Sequence, residues 1–245
     1  MYDAVARPLA MRQLPLPIGT RSEPGFDNFV AGRNAAALAH LAALQAPAAP
    51  VYLWGPSASG KTHLLRALGQ RCAAAGQGVL WFEGGPDMPD TLPAGCALLA
   101  VDRCEALDEA AQRRVFALFE QASAEGVAFV AAGRLPPVDL PLREDLRTRL
   151  AWGHVFALEP LAEAETRAAL RREADRRGIF LSDEVMGHLL TRFPRDLAHL
   201  MALLDRLDEF ALASARAVTV PLLRQMLAED GGVAAAAPGG RDAPT

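Results

Sequence analysis

The clearest chemistry in this chain lies in Gly55, Pro56, Ser57, Ala58, Ser59, Gly60, Lys61 and Thr62, which satisfy G-x-x-x-x-G-K-[ST]. An apolar run, residues 51–54, precedes the motif, and residues up to about Ala75 continue as helix, the setting a phosphate-binding loop requires. Gly55 and Gly60 let the backbone turn tightly, so that successive N–H groups point inward at phosphate oxygens. The following helix adds the partial positive charge of its first turn. Lys61 is placed to reach β- and γ-phosphates, and Thr62 supplies a hydroxyl for Mg²⁺, a hard cation that takes oxygen ligands. A second feature completes the metal site: residues 97–101 form an apolar run closed by Asp102. A buried strand ending in an aspartate beside such a loop can accept a water of the Mg²⁺ shell, so Thr62 and Asp102 are the candidate metal ligands. The residue after Asp102 is Arg103, where vigorous ATPases often carry a water-activating carboxylate. Glu105 follows three positions on, with a direction that strand geometry alone does not assign, which leaves the chain's own hydrolytic activity open.

Three arginines extend the candidate site. Arg134 follows the apolar run 127–132 and Gly133, at the carboxyl edge where doubly wound sheets place ligand contacts; a solvated arginine is the alternative. Arg149 belongs to an Arg143, Arg147, Arg149 series. That spacing suits a surface charge run. Arg149 nevertheless precedes the last strand, residues 154–158, and an arginine at such a rim can stabilise phosphoryl-transfer charge on a neighbour. Arg195, after Pro194 at a helix start, can point back at the phosphates or lie on the helix surface.

The elements that must position these residues alternate. Helix is expected at 34–45, strand at 51–54, helix to 75, strands at 79–82 and 97–101, helix at 108–123, and strands at 127–132 and 154–158. This order predicts a parallel sheet with helices on both faces. From Glu159 the pattern is helical only: 163–177, 183–193, 195–213, then a short strand-like stretch and a last helix over 218–227. The expected organisation is an arm at 1–25, an α/β nucleotide-binding domain at 26–158, a helical lid at 159–230 and a disordered Ala/Gly/Pro tail at 231–245.

At 245 residues and 51% hydrophobic content, the chain can bury a substantial core. A net charge of −4 argues against bulk electrostatic binding to nucleic acid. Cys72, Cys96 and Cys104 have neither disulfide-framework nor zinc-ligand spacing and read as small core residues of a reducing compartment. No membrane-length apolar run or signal pattern is present, so a cytoplasmic protein is expected. Within the proline-bearing arm, residues 13–18 (QLPLPI) present Gln13, Leu14, Leu16, Pro17 and Ile18 on an extended backbone. Such a segment suits docking into a partner's groove or serves as an ordinary proline-rich leader.

In this order, FDNFVAG, GPSASGKTHLL, RTRLAWG and PRDLAHLMALLDRL resemble motifs of the AAA+ ATPases and, among them, of the DnaA/Hda family, over about residues 26–227. The resemblance implies an AAA+ fold binding ADP or ATP with Mg²⁺. It implies that Val30 lines the adenine site, that His63 belongs to the nucleotide-binding motif, and that Arg149 is an arginine finger and Arg195 a second sensor. After the lid only the Ala/Gly/Pro tail is expected, in place of an initiator's helix-turn-helix, and QLPLPI is similar to glutamine-led clamp-binding motifs. The implied function is a regulator that docks on the β subunit of the DNA polymerase III sliding clamp and promotes hydrolysis of DnaA-bound ATP, preventing over-initiation of replication. DNA would be met mainly through the clamp, and a homo-oligomer is possible. A DnaA-like helicase loader, a DNA-binding ATPase or a free-standing P-loop enzyme such as a small-molecule kinase are the other readings.

Overall fold

A computed structural model describes residues 23–83, 89–193 and 196–234. The leader with Gln13, Leu14, Leu16, Pro17 and Ile18, the Arg195 side chain and the tail 235–245 lie outside the described residues.

Five short strands, β1 (Val51–Trp54), β2 (Gly78–Phe82), β3 (Cys96–Val101), β4 (Ala128–Gly133) and β5 (His154–Ala157), form one parallel sheet in the order β2-β3-β4-β1-β5. The first strand in the chain, β1, thus lies between β4 and β5. Alternate residues of each strand enter opposite layers, because successive Cβ atoms point to opposite faces. Val51 and Leu53 pack with Leu41, Leu64, Leu65 and Leu68 of α1 (Ala35–Ala43) and α2 (Lys61–Ala74). Tyr52, Leu99, Val101, Phe129 and Ala131 pack instead with Val115, Leu118, Phe119, Leu146 and Leu150 of α3 (Glu109–Glu125) and α4 (Glu144–Trp152). Two-sided burial explains why β3 and β4 are nearly continuous apolar runs.

Helix α4 is the main element that the arginine spacing concealed. Its apolar residues Leu146 and Leu150 are four apart and buried, while the arginines lie on its outer face, so a short helix reads from sequence as a charge run. Helix α3 starts at its cap, Asp108, whose carboxylate accepts the Ala111 N–H at 2.7 Å, and stops at Gly126 with a φ of 71°.

The remaining helices, α5 (Glu163–Arg176), α6 (Asp183–Arg192), α7 (Leu197–Ser214) and α8 (Val220–Ala234), enclose a separate core that includes Leu170, Met186, Leu189, Leu204, Leu207 and Leu223. No strand precedes α8, and the helix runs to Ala234 rather than ending near Leu227. Arg177 ties the start of this bundle to its middle, pairing with Glu173 at 2.7 Å and with Asp205 of α7.

Candidate functional site

The phosphate loop leaves β1 at Gly55, whose N–H donates to the Gly133 carbonyl of β4 at 3.3 Å. Its backbone is one that side chains resist. Gly55 has a φ of 151°, and a Cβ there would stand 2.2 Å from the Leu158 carbonyl oxygen. Gly60 has a φ of 94°, and its Cβ would meet the Phe29 ring at 2.6 Å. Both motif glycines are therefore required twice, by conformation and by close approach. Pro56, Ser57 and Ala58 form the exposed crest of the loop, while Ser59 is buried beneath it. Lys61 is also buried, and its ammonium donates to the Gly55 carbonyl at 2.8 Å, the Pro56 carbonyl at 2.7 Å and the Ser59 hydroxyl at 3.2 Å. Burial lowers the Lys61 pKa, and the nearby charges of Asp102 and Glu105 oppose that shift.

Asp102 is buried at the end of β3, held by its own N–H to the Phe82 carbonyl at 2.8 Å. Its carboxylate accepts the Thr62 hydroxyl at 2.6 Å and the Arg103 N–H at 2.8 Å. The two residues expected to hold Mg²⁺ are thus in direct contact, the first turn of α2 meeting the end of β3. Among the described residues no group of three His, Cys, Asp or Glu could hold a metal ion. A hydroxyl and one carboxylate fit Mg²⁺ that brings its waters and is shared with phosphates, because this ion keeps much of its shell. Bound there, it would neutralise phosphate charge, with Thr62 and Asp102 as the protein's share of the site.

Arg103 is turned away, with a φ of 53°, and pairs with Glu83 at 3.0 Å. Glu105 instead faces the sheet's carboxyl edge, where its carboxylate accepts the Arg134 N–H at 3.0 Å. The buried Tyr52 hydroxyl donates to the next carbonyl, Leu135, at 2.8 Å, and burial raises its pKa. A Cβ on Gly133 would lie 2.2 Å from that hydroxyl and 3.2 Å from Glu105, so glycine is needed where β4 ends.

A segment before α1 passes over the loop. His63 donates through Nε2 to the Gly25 carbonyl at 2.9 Å and packs on Phe29 with ring centroids 5.3 Å apart. Its burial lowers its pKa, so the neutral ring is the form held here. His63, expected among the nucleotide-binding residues, thus spends its side chain on the segment that bears the half-buried Val30, leaving its backbone to the loop. Farther on, the buried Asn34 accepts the Glu159 N–H at 2.9 Å and donates to the Glu159 carbonyl at 2.8 Å. Arg33 adds a 3.1 Å ion pair to the Glu159 side chain. The sequence does not single out Asn34 or Tyr52; their signals, a polar residue at a helix start and a tyrosine inside a strand, are common elsewhere.

Arg149 lies in the last turn of α4, one helical turn before Trp152. That turn delivers the chain to β5, whose first residue, His154, pairs with Val51. It therefore approaches the amino edge of the sheet, opposite the edge that carries the phosphate loop. The Arg149 guanidinium pairs with Glu120 at 3.1 Å and stacks 5.8 Å from the Phe119 and Trp152 ring centroids, with its side chain 39% exposed. An open cavity of about 610 Å³ beside it is lined by Phe116, Arg143, Glu144, Asp145 and Thr148.

Comparison with known proteins agrees with this architecture. The profile described as "Hda, lid domain" matches residues 163–227, and that described as "Bacterial DnaA ATPAse domain" matches residues 21–79. Domain III of the Thermotoga maritima replication initiation protein DnaA is 19% identical and superimposes with a TM-score of 0.68, covering 85% of this chain and 97% of that one. AMPPCP-bound DnaA from Aquifex aeolicus is 19% identical at 0.62, over 77% of this chain and 66% of that one. The RuvB Holliday junction branch migration motor of T. maritima, 17% identical at 0.53, covers 73% of this chain and 61% of that one. At these identities the solved structures establish the fold, and the lid and ATPase-domain profiles establish the kinship. The chain belongs to the DnaA/Hda family of AAA+ proteins.

Proposed function

We propose that this chain binds ADP or ATP with Mg²⁺ in the Gly55–Thr62 loop and acts as a regulator of DnaA, lending Arg149 to the nucleotide held by that partner. The observation that carries the reading is the position of Arg149: half-exposed, on the helix that leads to the amino edge of the sheet, remote from the loop's own carboxyl edge. An arginine so placed cannot serve its own nucleotide and is available to a neighbour's. There, a guanidinium aimed at the transferring phosphoryl group stabilises charge that develops only in the transition state. The pair with Glu120 and the contact with Trp152 hold the side chain ready at modest cost, since an exposed ion pair is worth about 0–1 kcal/mol. Residues 13–18 would tether the molecule to the β subunit of the polymerase III sliding clamp, so that DNA is reached through the clamp, in the cytoplasm. The outcome would be loss of the ATP-bound initiator and restraint of re-initiation.

The direct test is hydrolysis of DnaA-bound ATP in the presence of clamp loaded on DNA. Arg149→Ala should lower stimulation about 10³-fold or more, the usual weight of an arginine finger, while ADP binding by this chain is retained. Unaltered stimulation would remove Arg149 from the role. A clamp pull-down with Gln13→Ala and Leu16→Ala tests the tether separately, with capture expected for the unmodified chain and lost in both variants. Salt-sensitive binding of single-stranded DNA by the isolated protein would favour the helicase-loader alternative instead.

A further inference from the structure

We propose that the groove between α6 and α8 of the lid is a docking site for an acidic peptide, one that seats an apolar side chain between flanking carboxylates. The groove is an open cavity of about 390 Å³ lined by His188, Arg192, Phe193, Arg224 and Leu227. Helical spacing builds it. His188 and Arg192 are four apart on α6, and Arg224 and Leu227 are three apart on α8, so each pair shares one helix face. Next to them in sequence, Leu189, Leu223 and Met226 are buried in the lid core, which holds the two helices against each other. Phe193, at the end of α6, is half-buried and rests on the His199 ring of α7 with centroids 5.9 Å apart, so the aromatic wall is held in place.

Cations line this groove and, among the described residues, no carboxylate does. Arg192 and Arg224 are exposed and make no ion pair among the described residues, whereas Arg167, Arg171, Arg176 and Arg177 of the same lid each pair with a carboxylate. A guanidinium fork takes a carboxylate through two parallel hydrogen bonds, and the wall of Phe193 and Leu227 accepts an apolar side chain. Arginine beside a packed aromatic is the composition on which binding energy concentrates in protein interfaces. A polyanion fits less well, because duplex DNA needs a row of cations over a broad face. Here the cations ring a cavity with an apolar wall, in a chain whose net charge is −4. A short acidic peptide brings few charges to be repelled and supplies the apolar anchor that a phosphate backbone lacks. The inference stands apart from the phosphate loop and from Arg149, neither of which lines the groove.

Fluorescence anisotropy of the full chain with a labelled synthetic peptide, EEDLFEED, tests this against QQNLFQQN and EEDSSEED, which lack the charge and the anchor, and against a short labelled duplex DNA. Saturable binding of EEDLFEED is expected, at least about tenfold tighter than of either control peptide. Arg192→Ala and Arg224→Ala should each weaken it about fivefold, the weight of a partly screened charge-assisted hydrogen bond, with the melting temperature unchanged because both side chains are exposed. The double variant Arg192→Glu with Arg224→Glu should lose EEDLFEED and bind KKKLFKKK instead, an exchange that a merely structural role does not produce. Absence of saturable binding, equal binding of QQNLFQQN or EEDSSEED, or binding unaltered in the two alanine variants overturns the proposal. A charge-exchanged pair that fails to bind while the chain stays folded overturns it too. Duplex DNA bound more tightly than EEDLFEED and lost in Arg192→Ala would make the groove a nucleic-acid contact and overturn it as well.

Discussion

Lys61, Thr62 and Asp102 are each held by hydrogen bonds within the loop and the strand ends beside it. The ammonium is parked on the Gly55 and Pro56 carbonyls, and the hydroxyl lies on the Asp102 carboxylate. Removing the ammonium in Lys61→Ala should weaken binding of a fluorescent ADP analogue at least about tenfold, or roughly 1.4 kcal/mol, as read by fluorescence anisotropy. At this scale the types of the loop residues were legible because each serves a geometric demand written into a short stretch. Glu105 was not. Its direction depends on the φ of 53° at Arg103, which swings the following turn across to β4, and no local pattern announces a non-glycine residue in that conformation.

Among the elements, the lid helices depend on charge as well as on their apolar core. Glu173 on α5 accepts hydrogen bonds from Arg176 at 2.6 Å and from Arg177 at 2.7 Å. The Arg176 bond first, and then Arg177, holds its carboxyl down at about 2 from the usual 4.5. A depressed carboxyl pKa contributes stability that is complete above the unfolded value and is lost as pH falls through the folded one. Thermal melts of the chain should thus lose stability between about pH 4.5 and pH 2, and Glu173→Gln should flatten that part of the profile while lowering the melting temperature at pH 7. An unchanged slope would show that the three-residue cluster carries no weight. The same scale explains why the order of helices was readable and α4 was not. A nine-residue helix with two buried leucines offers too few repeats for its period to stand out among arginines.

Across the whole molecule, the segment 25–34 joins the phosphate loop to the base of the lid. His63 and Gly60 hold its first part, and Asn34 grips the Glu159 backbone where β5 gives way to the helical bundle. Gly55 approaches Leu158 on the same path. A nucleotide that displaces the loop therefore has a packed route to the lid's hinge. Asn34→Ala leaves both Glu159 backbone groups without their side-chain partner at a part-buried place, at a cost of about 1 kcal/mol. Urea denaturation should report this as a lower midpoint, and ADP should protect the variant's lid from proteolysis less than it protects the unmodified chain. Equal midpoints would mean that water replaces the amide without loss.

By itself the amino-acid sequence determined the alternation of strands and helices, the phosphate loop, the aspartate at the end of the third strand and the change to helices at residue 159. Those features rest on local rules: hydrophobic period, turn stereochemistry and the ligand chemistry of oxygen and nitrogen. Only the tertiary structure decided that β1 lies between β4 and β5, that Glu105 and Tyr52 meet around Arg134, that Asn34 reaches Glu159, and that Arg149 lies toward the edge of the sheet away from its own loop. Each of these joins residues far apart in the chain, and the order in which strands assemble side by side is set by packing of whole elements, which no short stretch encodes.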